Sequence, residues 1–379
     1  MAYGCDGRSL TVTRGTHDGA GGTMAEVDEV REEARRNTRG RFEQWAKNPT
    51  CEANTLSAVH NVRLDLAAKA EGLNPSFGQS PFAIARGNRF EAGLFLDDAA
   101  KIRAALERKG CLPSGSADFL DLRLKINGGT KVNSVDDALQ LTEKWLKAVA
   151  DDADSAETIV AAPMIRIPKG VILPEALLIV DIVTVTATAD GRARITVGEV
   201  KVFPDRGGYT DGHQLASARA QAGVYRHALE LAVETLGLTD EVEVAPDGFL
   251  VFTWPGSNAP AIRPSEDLTY QAIRAERGFE RLEEVAASIV RGDDFSADNP
   301  TLIRRVIEAG TDYSEACLNF CDLAPRCHQR ALDADDPVVL GDDVKRLLGD
   351  TTMTRAIELL NDAAPTTDRE ADLQRQLQL

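Results

Sequence analysis

Between Met24 and about Ala150 apolar residues recur at spacings of three and four, the period of helices packed by one face. The segments VDEVREEARRNTRGRFEQWAKN, DDAAKIRAALERKG and VDDALQLTEKWLKAVADDA carry this rhythm. It then changes. ETIVAAPMIRI and ALLIVDIVTVTATADGRARITVGEVKVF are dense in β-branched residues and predict strands. A long helix is expected from roughly Asp211 to Leu236, ending before Gly237. GFLVFTWPG reads as a buried strand, and from SEDLTYQAIRAERGFERLEEVAASIVRG onward the chain reads as helical again. No repeat appears at periods of 20–50 residues. The order of elements predicts an α/β core with helices wrapped around one sheet.

The chain has 379 residues, 43% of them hydrophobic, enough to build a core of real size. Only 5% are aromatic, so that core leans on Leu, Val, Ile and Ala. A net charge of −17 argues against a wholly basic nucleic-acid surface, though not against a local basic groove. Part of the excess lies beyond Ala331, where eleven acids face five bases. The longest apolar stretch, VILPEALLIVDIVTVTATA, is broken by Pro174, Glu175 and Asp181, so no membrane span is expected. The opening residues are polar and Gly-rich, unlike a secretory leader, and a cytoplasmic location is expected. Residues 1–23 are expected to lack fixed structure, with Met24 an alternative start. In that compartment the six cysteines are thiols or metal ligands rather than disulfides.

One short segment concentrates charge inside apolar text. VGEVKVF places Glu199 and Lys201 two residues apart, on the same face of a strand. A three-residue loop Ala189-Asp190-Gly191, with Gly191 left-handed, pairs residue 188 with 192 and sets Asp181 opposite Glu199. A two-residue Asp190-Gly191 turn would instead pair 181 with 200 and turn Asp181 away. Two buried carboxylates repel unless a cation neutralises them, and hard oxygen donors favour Mg²⁺ or Mn²⁺. Lys201 beside such an ion could hold a water or meet negative charge in a phosphoryl transition state. An ordinary solvated charge pair is the bland alternative, and the apolar neighbours argue against it. In the next helix Gln221 and Tyr225 stack four residues apart, beside an apolar stripe.

The series IVDIV, GEVKV and QAGVY resembles the RecB-type branch of the PD-(D/E)XK nuclease superfamily. The resemblance covers roughly positions 80–230. It implies that Asp181 and Glu199 bind the metal, with the Val200 carbonyl a third ligand. It implies that Lys201 is the catalytic lysine, and that Gln221 and Tyr225 position substrate or that lysine. FPDRGG is a decoy, because its Asp205 follows the E-x-K instead of preceding it. Many members of this branch carry an upstream G-x-x-x-H-E motif. The matching stretch, ARGNRFEAGLF, keeps Gly87 and Glu91 but has Phe90 at the histidine position. Arg86 and Arg89 are phosphate contacts or surface ion pairs.

ACLNFCDLAPRCHQR contains Cys317, Cys321 and Cys327, three thiols close enough in sequence to suggest a soft metal centre. Cys51 is the candidate fourth ligand. Some RecB-type nucleases, the CRISPR-associated exonucleases among them, hold a [4Fe–4S] cluster with one Cys before the core and three after it. Here the first gap is three residues where those families have two, which keeps zinc as an alternative. Cys5 and Cys111 are expected to be unliganded. The resemblance thus implies a restriction-endonuclease-like core sheet flanked by helices. The expected divisions are a helical N-terminal region over 24–150, a nuclease core over 151–300, a cluster region over 301–332 and an acidic helical tail over 333–379.

The expected function is a Mg²⁺- or Mn²⁺-dependent DNA nuclease acting on single strands or free ends, in repair, recombination or phage defence. A catalytically silent cluster-bearing scaffold or DNA-binding subunit is the alternative, supported by Phe90. Basic text at REEARRNTRGR, KIRAALERKG and RCHQR is available to line a strand channel. No Walker motif is present, so ATP-driven unwinding would need a helicase or defence-system partner.

Overall fold

The computed structural model describes residues 38–74, 81–113, 115, 118–125, 128–152, 158–167, 171–173, 175–288, 297–314, 317–318 and 320–377. The expectations for residues 1–23, for Met24 and for Cys5 fall outside them. The fold is mixed α/β. Helices α1 (Thr38–Lys47), α2 (Glu52–His60), α3 (Leu64–Ala70), α4 (Pro81–Leu94) and α5 (Leu96–Arg108) lead into strand β1 (Phe119–Asp121) and helix α6 (Val135–Asp151). Strands β2 (Ile159–Ala161), β3 (Met164–Arg166), β4 (Leu177–Ile179), β5 (Ile182–Ala187) and β6 (Ala193–Pro204) follow, then helix α7 (Gly212–Thr235). After β7 (Val242–Val244), β8 (Asp247–Thr253) and β9 (Pro260–Asp267) the chain returns to helices: α8 (Thr269–Ser288), α9 (Pro300–Glu308) and α10 (Ala324–Ala334). The tail adds α11 (Gly341–Leu348), α12 (Met353–Leu360) and α13 (Asp368–Leu377).

The main sheet has the order β1-β2-β5-β6-β8-β9, with β7 also pairing β6. β6 is its central strand, antiparallel to β5 and parallel to β8. The β5–β6 hairpin has the three-residue-loop register: Ile182 pairs Gly198 and Ala187 pairs Ala193. Gly191 supplies the left-handed residue at φ +85°, and the Thr188 N–H donates to the Arg192 carbonyl at 2.8 Å. Gly198 has a separate reason to be glycine. A Cβ there would stand 2.3 Å from the Phe249 ring and 2.7 Å from Ile182.

Period two splits β6 between two cores. Ile195 and Val197 face the larger one, with Tyr225 and Leu229 of α7 and with Phe42 and Trp45 of α1. Val200 and Val202 face the other, with Phe90, Leu94 and Ile102 of α4 and α5. Helices therefore cover both faces, which is why so much of the β6 sequence is apolar. A third, smaller core joins Ala53, Leu64, Leu302, Val306 and Leu323 with four cysteines, and a fourth lies in the tail around Leu359 and Leu373.

The sequence reading needs two corrections. Residues 265–267, expected to open a helix, end β9, and α8 begins at Thr269. Among the described residues β9 pairs β8 alone, and such an edge position tolerates Pro260 and Pro264, the residues that hide it in a sequence pattern. β1 also lies inside the stretch read as mainly helical. No helix among the described residues is long and apolar enough to cross a membrane.

Candidate metal centre

Asp181 and Glu199 meet on one face of the hairpin. Both are buried, Glu199 completely, in the middle of a sheet where an isolated charge is costly. The register puts Asp181 just before the first β5–β6 pair, and its carboxylate turns onto β6, where the Val200 N–H donates to Oδ2 at 2.9 Å. The Tyr225 hydroxyl donates to Oδ1 at 3.3 Å, and Gln221 Nε2 donates to that hydroxyl, also at 3.3 Å. Gln221 and Tyr225 thus form a relay from α7 that holds one oxygen of Asp181. Asp211 caps this helix, accepting from the His213 and Gln214 N–H groups.

Glu199 is held less completely. Lys201 Nζ lies 2.7 Å from its Oε1, yet neither carboxylate oxygen accepts a well-directed hydrogen bond, and both are inaccessible. Burial first, and then the Asp181 charge, push the Glu199 pKa well above the usual carboxylate range. For Lys201 burial alone would lower the pKa, but Glu199, Glu43 and Asp181 outweigh it and raise it. Lys201 remains partly exposed, so the group opens to solvent at that side chain.

Glu43, which sequence reasoning missed, acts electrostatically on both Glu199 and Lys201. It lies on α1 between the buried Phe42 and Trp45, whose rings pack against Phe279 of α8. The only signal was an acid flanked by the apolar residues of a helix. Lys47, one turn on, lies near enough to Lys201 to repel it and sits 5.4 Å from the Phe320 ring centroid.

ARGNRFEAGLF lies elsewhere. Phe90 is buried against Ile182 and Phe249, on the sheet face opposite Glu199, and Gly87 approaches Val202 on that face. A side chain at position 90 therefore points into the other core. Arg86 and Arg89 are exposed. Asp205, the decoy, has a structural post: it accepts from the Gly208 N–H, from Thr210 Oγ1 and from Arg263 Nη1.

The four candidate cluster ligands share one buried core. Cys51, at the N-cap of α2, joins Cys317, Cys321 and Cys327 although it precedes them by more than 260 positions. Burial first, with the other three thiols adding to it, raises the Cys321 pKa to about 12. Asn48 Nδ2 donates to Cys317 Sγ at 3.3 Å and to the Asp312 carbonyl at 2.7 Å. Cys111 lies outside this core, partly buried beside α5, with a pKa raised to about 11 by burial and by Asp247.

Two donor sets are thus distinguished by kind. Asp181 and Glu199 offer hard carboxylate oxygens, one of them with a buried oxygen lacking any partner among the described residues, which fits a hard divalent cation. The four thiols fit a soft centre. Among the described residues no three His, Cys, Asp or Glu side chains are drawn in to close on a metal ion. No family model matches the chain, and no curated protein or solved structure matches it.

Proposed function

We propose that this chain is a Mg²⁺- or Mn²⁺-dependent DNA nuclease of the RecB-like kind, built on a restriction-endonuclease-like core, with a structural centre at Cys51, Cys317, Cys321 and Cys327. One observation carries the reading. Asp181, Glu199 and Lys201 converge at the buried centre of the sheet, with Tyr225 and Gln221 fixing Asp181 from behind. Burying two facing carboxylates costs stability, because each charge loses several kcal/mol of hydration, and that cost supports a functional reason for keeping them.

A divalent ion bound between the carboxylates would polarise a phosphodiester and raise the acidity of a water. The chain's own groups do the rest. Asp181 is oriented by the Val200 N–H and Tyr225, which leaves its lone pairs directed. Lys201, whose ammonium form its acidic neighbours favour, lies at the solvent-facing side, where it can orient the attacking water and meet charge on the phosphoryl oxygens. The thiol centre would contribute binding energy to the fold, as a [4Fe–4S] cluster or as zinc.

The competing reading is a catalytically silent scaffold. Its main support was Phe90, and that residue lies on the wrong face of the sheet to bear on the metal centre. End-labelled single- and double-stranded DNA incubated with Mn²⁺ separates the two. Wild type should cleave, while Asp181→Asn, Glu199→Gln and Lys201→Ala should each cleave at least ~100-fold more slowly with an unchanged circular dichroism spectrum. Wild-type rates in a Glu199→Gln preparation would overturn the proposal.

A further inference from the structure

Along the edge strand β9 lies a cleft of about 460 Å³, lined by β9 itself, the end of α5, the loop after β6 and Trp254 just past β8. Three of its features point to a ligand of defined chemistry.

The first is Trp254. The chain has three tryptophans, and Trp45 and Trp145 are 1% and 3% exposed, whereas Trp254 is 45% exposed. Turn chemistry does not require it. Pro255 and Gly256 form the bend, and the Trp254 N–H bonds the Ala259 carbonyl through its backbone alone. Lys101 Nζ, donating to the Asn258 carbonyl at 2.9 Å, pins the turn to α5.

The second is charge. Two acids line the cleft, and both are already neutralised. Arg263 bonds Asp205 at 3.3 Å and Glu266 at 2.9 Å, and Arg219 bonds Glu266 at 2.6 Å. Arg108 and Lys109 remain, both exposed and neither paired with an acid among the described residues. The cleft is therefore locally cationic in a chain of net charge −17. These two residues belong to KIRAALERKG, the basic stretch that no other site uses.

The third is position. Pro204, which pairs Thr253 beside the cleft, stands three residues beyond Lys201 on β6, at most roughly 10 Å of strand. The helix α5 brings Arg108 and Lys109 from the sheet face opposite Lys201, so a strand reaching both sites would pass around the end of β6.

We infer that this cleft binds one nucleotide unit of a single strand, its base stacked on Trp254 and its phosphate held by Arg108 and Lys109. An aromatic face beside unpaired cations is how proteins hold single strands without reading sequence. The strand is the substrate of the proposed nuclease, so the site's purpose, though not its binding, rests on that reading.

The experiment measures binding without cleavage, in EDTA. Trp254 is the only exposed tryptophan, so saturable quenching of intrinsic fluorescence by a short oligothymidylate should report contact there. Anisotropy of a labelled oligothymidylate should show roughly 10-fold weaker binding for Trp254→Ala and for Arg108→Ala/Lys109→Ala, with Trp254→Phe close to wild type. Melting curves should be unchanged, since these side chains are exposed. Absence of quenching at saturating oligothymidylate overturns the inference, as does wild-type affinity in Trp254→Ala. Equal quenching by thymidine monophosphate at the same nucleotide concentration overturns the strand assignment. If Trp254→Ala binds and cleaves normally, the cleft fails and the nuclease proposal stands. If wild type is quenched but cuts no DNA, the nuclease proposal fails and the cleft stands.

Discussion

Replacing Glu199 by glutamine separates what the carboxylate does for chemistry from what it does to the fold. The side chain keeps its shape and loses one negative charge at a fully buried position. Directly opposed strand positions place side chains about 5 Å apart, and two ionised carboxylates at that distance repel by about 3 kcal/mol at an effective dielectric constant of 20. Lys201, 2.7 Å from Oε1, offsets part of this. The Glu199 pKa is raised above its ordinary value of 4.5 by burial and then by Asp181. With the folded value above the unfolded one, metal-free stability falls as pH rises through 4.5, and neutral pH carries the cost. A chain of this length gains about 1 °C in Tm per kcal/mol. Metal-free Glu199→Gln should therefore melt about 1–3 °C above wild type at pH 7. Saturating Mn²⁺ should reverse the order: wild type gains about 2.7 kcal/mol at 100 times Kd, or roughly 3 °C, while the variant gains little. Paired thermal melts with EDTA and with Mn²⁺ measure both shifts. A variant that melts well below metal-free wild type, or keeps the full Mn²⁺ shift, would refute the assignment of Glu199 as a ligand held at a cost.

Anaerobically purified protein should be brown, absorb near ~400 nm and carry about four irons per chain; stoichiometric zinc without iron would replace the cluster by a tetrahedral site. Cys51→Ser and Cys321→Ser should lower Tm and solubility together with activity, and a Cys51→Ser protein that melts and cleaves like wild type would remove Cys51 from the ligand set. His60 is buried with Nε2 unpartnered among the described residues, and burial, then Arg41 and Arg305, lower its pKa from 6.5 to about 4. A depressed folded value means stability is present above pH 6.5 and lost as pH falls toward 4, by up to about 3 kcal/mol. Urea titrations at pH 7 and pH 4.5 should show a smaller loss for His60→Asn than for wild type, and equal losses would contradict that account.

What was legible in the sequence was local. The turn allowed two hairpin registers, and the three-residue loop with a left-handed glycine, the one the structure has, is the one that brings Asp181 to Glu199. The ends of α7 were marked by Asp211 and Gly237, and the four-residue spacing of Gln221 and Tyr225 placed both on the face that reaches Asp181. What was not legible depended on which face of the sheet a distant helix covers. Glu43 and Phe90 both lie on helices near the start of the chain that bury aromatic side chains, and spacing alone cannot say which helix packs over Glu199. Motif matching chose α4; the fold placed α1 there, because Phe42 and Trp45 fill the gap between α7 and α8. Gly278 allows this approach: a Cβ on it would stand 2.2 Å from the Trp45 ring.

That placement makes α1 the common support of both centres. Its described part, Thr38–Lys47, is held by Phe42 and Trp45 in the larger core and by Arg41, whose guanidinium donates to the Ala58 and Val59 carbonyls. On the side facing β6 it presents Glu43 and Lys47 to Glu199 and Lys201. Just past its end, Asn48 bonds Cys317 Sγ and the Asp312 carbonyl, and Lys47 lies over Phe320. A rotation of α1 large enough to move Glu43 would therefore break contacts in the cysteine core, and disorder in that core would release the C-terminal end of α1. Order is coupled between the two sites by a rigid element rather than by any direct contact between their ligands. This is why substitutions at the thiols should depress stability and activity in parallel, while a substitution at Glu199, which removes a charge and leaves α1 seated, should pull them apart.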